Sequence, residues 1–184
     1  MITKRVLTAS ALLLLSGLAA PGFASTLTYT STLKGSNEVP PTGSAGTGFV
    51  TYTLTGDILT VDLTFSGLST TASAAHIHCC APLGVNAPVV VPFAGFPTAT
   101  SGTYTNTFNL STFAFSGGGS EAALIAGLNS GQTYTNIHDS NYPGGEIRGQ
   151  ILAATSAVPE PRGLLLMATG LAGVAGAVRR RFAA

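Results

Sequence analysis

Strict alternation of apolar and polar residues runs through the middle of the chain. Val50, Tyr52 and Leu54 alternate with Thr51, Thr53 and Thr55, and then Leu59, Val61, Leu63 and Phe65 alternate with Thr60, Asp62 and Thr64. This is the period-two pattern of half-buried strands, and Gly56-Asp57 between the two runs reads as a tight hairpin turn. Similar patterns predict strands over 27–33, 74–78, 88–92, 103–110, 133–138 and 146–152. One stretch, 120–128, has helical spacing, with Ala122, Leu124, Ile125 and Leu128 apolar and Gly131 as its stop. Short strands at regular intervals, separated by glycine and proline clusters, predict an all-β sandwich or barrel with one short helix.

The two ends follow a different rule. Residues 1–24 carry Lys4 and Arg5, an apolar run from Val6 to Ala20, and small residues at Gly22 and Ala24, the layout of a cleavable export signal. At the other end Pro159, Glu160 and Pro161 precede an apolar run from Gly163 to Val178 and then Arg179, Arg180 and Arg181. That order over 158–184 resembles the PEP-CTERM sorting signal of Gram-negative bacteria. The resemblance implies an exosortase-type enzyme that cuts near the Pro-Glu-Pro and releases or transfers the domain. The apolar run, as a helix, spans about 24 Å against a hydrocarbon core of about 30 Å, so it suits a transient membrane stop better than a permanent span. The arginines are expected to stay cytoplasmic, with 25–157 on the outer side.

The whole chain has a formal charge of +1, but its cations sit mostly in the end segments. Within 25–157 only Lys34 and Arg148 face Glu38, Asp57, Asp62, Glu121, Asp139 and Glu146, so the domain is acidic by four charges. Nucleic acid and anionic membrane surfaces are disfavoured as partners. The domain is rich in Thr, Ser, Gly and Asn, giving a polar, weakly charged surface.

Three segments carry a family likeness. Gly35-Ser36-Asn37-Glu38-Val39-Pro40-Pro41 lies near the start of the domain and Ala75-His76-Ile77-His78-Cys79 in its middle. Asn136-Ile137-His138, followed by Pro143-Gly144-Gly145-Glu146-Ile147-Arg148-Gly149-Gln150, lies at its end. Together they resemble the CHRD domain over about 26–152. The resemblance implies an extracellular β domain with no generally established activity.

The same segments hold all three histidines of the chain. If Ile77, Ile137, Ile147 and Ile151 face the core, the pleat turns His76 and His78 to the other face and exposes His138, Glu146, Arg148 and Gln150. Two histidines at i and i+2 of one strand, with a third from another, offer a three-imidazole site that copper or zinc accepts. This is similar to the copper half of copper-zinc superoxide dismutase, a Greek-key β-sandwich. In that resemblance His76, His78 and His138 match copper ligands and Arg148 matches the arginine that guides the anion. The chain has no histidine left to bridge a second metal, so dismutase activity is not expected. The competing reading makes His78, His138, Asp139, Glu146 and Arg148 one polar network that holds loops against the sandwich, with Arg148 and a carboxylate as its strongest pair.

Cys79 and Cys80 are the only cysteines. Three readings stand: a vicinal disulfide, thiolates in a soft-metal site, and free or intermolecular thiols. No nucleophile motif, nucleotide-binding loop or closely spaced carboxylate pair points to another enzyme class. The sequence therefore predicts a single Greek-key β-sandwich, immunoglobulin-like or dismutase-like, handled by the export machinery and sorted to the cell envelope, surface or extracellular matrix. Its expected role is a non-enzymatic module that binds protein or polysaccharide such as exopolysaccharide. The alternative is a copper- or zinc-binding protein using His76, His78 and His138.

Overall fold

The computed structural model describes residues 25–154 and position 170. The export signal expected over 1–24 and, apart from position 170, the sorting segment over 158–184 lie outside the described residues, including Pro159, Glu160, Pro161, Arg179, Arg180 and Arg181. Among the described residues no helix is long and apolar enough to cross a membrane.

The strands are β1 (Thr26–Lys34), β2 (Thr47–Thr55), β3 (Ile58–Ser66), β4 (Ala72–Cys79), β5 (Val89–Pro92), β6 (Gly102–Asn109), β7 (Thr133–Asp139), β8 (Ile147–Gln150) and β9 (Leu152–Ala153), with the helix α1 (Glu121–Ser130) before β7. They form one antiparallel sheet in the order β5-β4-β7-β8-β1-β2-β3-β6, with β9 beside β1. The sheet curls on itself, in keeping with the all-β sandwich or barrel that the alternation predicts.

The β2–β3 hairpin turns at Gly56-Asp57, with Thr55 paired to Ile58. Gly56 has φ +57°, a left-handed conformation that glycine adopts without steric cost. Inward positions follow the alternation: Tyr29 and Leu33 of β1, Val50 and Tyr52 of β2, Leu59, Val61 and Leu63 of β3, Ile77 of β4, Ile137 of β7 and Ile147 of β8 are all buried. A polar pair survives within this core, because the Tyr52 hydroxyl hydrogen-bonds Thr135 Oγ1 and neither group is left unpaired.

The sheet has two edges, β5 and β6, and aromatic side chains join them. Phe93, just past β5, stacks on Tyr104 of β6 with ring centroids 5.1 Å apart, and Phe96 stacks on Phe65 at the same distance. The helix α1 begins at Ser120, whose side chain accepts the Ala123 N–H, and ends at Gly131 in the left-handed conformation. It buries Leu124, Gly127 and Leu128 against the sheet.

One predicted strand is divided. The segment expected over 146–152 breaks at Ile151, which is fully buried and donates its N–H to Thr133 O at 2.9 Å. Beyond it the chain pairs with β1 as β9 rather than continuing along β7.

Candidate functional site

The outer face of β4, β7 and β8 carries the site. His76 and His78 project from it on β4, Tyr134, Asn136 and His138 on β7, and Arg148 on β8, where Asn136 pairs with Arg148 and with His76. The three rings converge: one ligand atom from each of His76, His78 and His138 lies within 4.8 Å of the others. His76 Nδ1 is 3.2 Å from His138 Nε2.

Backbone carbonyls fix two of the rings. His78 Nδ1 lies 2.8 Å from Ala87 O, and His138 Nδ1 lies 3.0 Å from Pro143 O. A carbonyl oxygen only accepts hydrogen bonds, so each Nδ1 must be the protonated nitrogen, and in the neutral ring each Nε2 keeps its lone pair. Both Nε2 atoms face Asn136 Oδ1, at 2.9 Å from His78 and 3.0 Å from His138. The rings are held neutral. Burial, followed by the neighbouring His138 and His78, lowers the His76 pKa to about 4. Burial also lowers His78 and His138, against the hydrogen bonds to Ala87 and Pro143.

The pleat puts these residues on the face away from the core, yet that face is not open. His78 is 8% exposed and Arg148 2%, which corrects the expectation that the whole outer set is exposed. The segment between β4 and β5 folds over them. Arg148 donates to Asn86 Oδ1 at 2.8 Å and to Val85 O at 2.9 Å, and its guanidinium lies 3.4 Å from the centre of the Tyr134 ring, a cation–π stack. Tyr134 in turn stacks on His78 at 4.5 Å. From the start of the domain, the segment after β1 brings Glu38 to the same place, 5% exposed. Burial raises the Glu38 pKa to about 7, opposed by the Arg148 charge and by hydrogen bonds from the Val39 N–H and the Asn136 side chain. Arg148 thus takes neutral oxygens as its hydrogen-bond acceptors, where a carboxylate pair was expected.

Asp139 and Glu146 belong to a second cluster, which divides the single network that the sequence suggested. Asp139 shares the parity of Ile137 and so points to the other face of β7 from His138. Its Oδ2 accepts from Ser69 Oγ (2.6 Å), Thr70 N (2.9 Å) and Thr70 Oγ1 (2.8 Å), and its Oδ1 accepts from Tyr142 N (2.7 Å). Burial pushes this carboxyl up, but those donors outweigh it and hold the pKa at about 2. Glu146 Oε1 accepts from Ser44 Oγ and Ser69 N, while burial and the adjacent Asp139 raise its pKa. The pair ties the segments around Ser44 and Ser69 to the end of β7. Three of its four carboxylate oxygens accept from those donors, and Glu146 Oε2 is buried without a partner.

Cys79 and Cys80 are joined as a vicinal disulfide. It packs on α1, not on the histidines: a Cβ added at Gly127 would meet Cys79 Sγ at 2.7 Å and Cys80 Sγ at 3.1 Å. The sulfurs therefore stand apart from the three-histidine cluster.

Sequence reasoning passed over Asn136, Glu38, Tyr134 and Asn86 as site residues. Asn136 was within reach, since it lies two residues before His138 on one strand and must share its face. Glu38 sits inside the Gly-Ser-Asn-Glu-Val-Pro-Pro motif, but nothing local says that this motif meets the histidines.

The three motifs that carry the family likeness, far apart along the chain, meet on this one face. No curated protein and no solved structure matches the chain. The family profile described as the CHRD domain matches residues 29–151. That span begins in β1, ends just after β8, and includes every residue of the cluster, and the chain belongs to the CHRD domain family.

Proposed function

We propose that this CHRD domain acts outside the cytoplasm as a non-enzymatic module that binds one copper or zinc ion through His76, His78 and His138. The observation that carries the reading is the orientation of the rings. Two imidazoles commit Nδ1–H to backbone carbonyls and turn their Nε2 lone pairs toward a common centre. Outer hydrogen bonds of this kind orient histidines for metal, and three neutral imidazoles suit copper(II) or zinc. With only three histidines in the chain, the bridged two-metal centre of a dismutase has no ligand set, which supports binding rather than that chemistry.

The export reading rests on the sequence features at the two ends, with an exosortase-type enzyme as the processing partner and the C-terminal apolar run as a membrane contact before cleavage. The acidic, hydroxyl-rich domain suits contact with matrix polysaccharide or surface protein better than nucleic acid.

Calorimetric titration of the purified chain with copper(II) and with zinc tests the metal reading. One ion per chain is expected, and His76→Ala, His78→Ala or His138→Ala should each weaken binding by about 100-fold or more, beyond the range of typical outer-shell changes. Thermal melts in chelator check that each variant folds. No stoichiometric binding at micromolar metal overturns the reading. For processing, the native surface fraction should lack residues 1–24 and the terminal arginines by mass spectrometry. An intact mass that includes 179–184 overturns that part.

A further inference from the structure

Asn136 has no role in a site of three histidines, yet it occupies the centre of it. Its side chain is 2% exposed, and its Oδ1 faces His78 Nε2 at 2.9 Å and His138 Nε2 at 3.0 Å. An amide oxygen cannot donate. In the neutral rings neither facing nitrogen has a proton to give, because the single proton sits on Nδ1 against Ala87 O and Pro143 O. Three acceptors therefore meet with one proton among them, the one that His76 Nδ1 offers to His138 Nε2. The contact between His78 Nε2 and Asn136 Oδ1 is left as two lone pairs face to face.

Turning the amide over would move the conflict to Glu38 whenever that carboxyl is ionised. The oxygen would then lie beside Glu38, whose Oε1 is buried without a partner. Both groups lie over Gly145, where an added Cβ would run into Glu38 Oε1 and Asn136 Nδ2. An ionised Glu38 thus favours the amide orientation that aims Oδ1 at the histidines.

We propose that Asn136 Oδ1 is the fourth ligand of the metal site and that Glu38 is the residue that positions it. The inference rests on the three-histidine reading. A cation among these lone pairs supplies the positive charge that no proton supplies there, and His76 frees Nδ1 by carrying its proton on Nε2 instead. Three imidazoles and an amide oxygen, backed by the Glu38 carboxylate, make a donor set for a divalent ion. Copper(I) favours soft sulfur donors, and among the described residues the two sulfurs are bonded to each other beside α1. The site is therefore selective for copper(II) or zinc over copper(I).

The test uses the purified full chain loaded with copper(II), read by electron paramagnetic resonance, with affinities for copper(II) and copper(I) measured by competition against chelators of known strength. Wild-type protein should show nitrogen hyperfine structure and hold copper(II) more tightly than copper(I). Asn136→Ala should lower copper(II) affinity by about 10- to 100-fold, shift the copper spectrum, and leave copper(I) affinity nearly unchanged. Asn136→Asp, which keeps an oxygen in place, should restore binding. Glu38→Gln should weaken copper(II) by about 10-fold with the ligand count unchanged. If Asn136→Ala does not fold, Asn136→Asp carries the test, since an oxygen ligand that gains charge must change the copper spectrum. An unchanged affinity and spectrum in the Asn136 variants overturns the fourth ligand while leaving the three histidines in place. Absence of copper binding by wild-type protein removes both.

Discussion

The outer surface of the sheet has two halves built from the same kind of strand. On β1, β2, β3 and β6 the outward positions are Thr28, Thr30, Thr32, Thr51, Thr53, Thr60, Thr64, Thr103, Thr105 and Thr107, set in cross-strand rows such as Thr28, Thr53, Thr60 and Thr107. That face meets water. On β4, β7 and β8 the outward positions are His76, His78, Tyr134, Asn136, His138 and Arg148, and most of them lie beneath loops. Threonine on the open half needs only good strand geometry and a solvated hydroxyl. On the covered half an unmet buried donor or acceptor costs about 1–3 kcal/mol, and most polar atoms there are paired. The pleat assigns a residue to a face; the loops decide whether that face is solvent or site.

The contrast can be broken by substitution, and the largest effect on stability is expected at Arg148. Arg148→Ala removes two charge-assisted hydrogen bonds and the stack on Tyr134, and should cost about 3 kcal/mol in urea unfolding. A loss under about 0.5 kcal/mol would mean that the covered half behaves like the open one.

Gly127→Ala comes next. Helix propensity alone would favour alanine by about 1 kcal/mol, but the new Cβ would meet both disulfide sulfurs and Thr133 Cγ2. A net loss of about 2 kcal/mol is expected, and it should diminish when Cys79 and Cys80 are also replaced by serine. A stabilised variant would show that α1 does not rest on the disulfide.

The pH dependence should separate two buried groups of opposite sign. His76 titrates near 6.5 when unfolded and about 4 when folded, so the unfolded chain binds the extra proton and stability rises with pH across that window. Glu38 titrates near 4.5 when unfolded and about 7 when folded, so the folded chain holds the extra proton and stability falls as pH rises from about 4.5 to 7. Each group contributes a slope of at most about 1.4 kcal/mol per pH unit, and in the wild type the two oppose. In chelator, His76→Gln should make stability fall more steeply with rising pH and Glu38→Gln should make it rise. Identical profiles for the two variants would refute the burial of this half.

The smallest effect is expected on the open half. Thr64→Ala should change stability by no more than about 0.5 kcal/mol and leave metal affinity untouched, by the same melts and titrations. A larger loss would show that the threonine rows are a contact surface within the fold.

These differences also mark what was legible in the sequence. Periodicity identified the inward set of β2 and β3, the hairpin at Gly56-Asp57, and the helix with its stop at Gly131, because each depends on neighbours a few residues away. It also grouped the three histidines, since parity along β4 and β7 is a local property. It could not divide Asp139 from His138 by environment, because the donors that hold Asp139 come from Ser69 and Thr70, about seventy residues earlier. Nor could it show that residues 85–87 cover Arg148 and His78, a long-range event with no local periodicity. Asn136 was missed for a chemical reason: a neutral amide attracts notice only when its surroundings deny it a hydrogen-bond donor.

The joining of β5 to β6 has a consequence for how copies of the domain behave toward one another. An antiparallel sheet with free edges invites another chain to add a strand, which is the usual route to aggregation. Here one edge strand has four residues and ends in Pro92, and the aromatic cluster around Phe93 and Tyr104 brings it against the other edge. The β5 edge is therefore not a long, flat template, whereas β6 runs from Gly102 to Asn109. A strand added at β5 would find only four residues to pair with, the last of them a proline that has no N–H to offer.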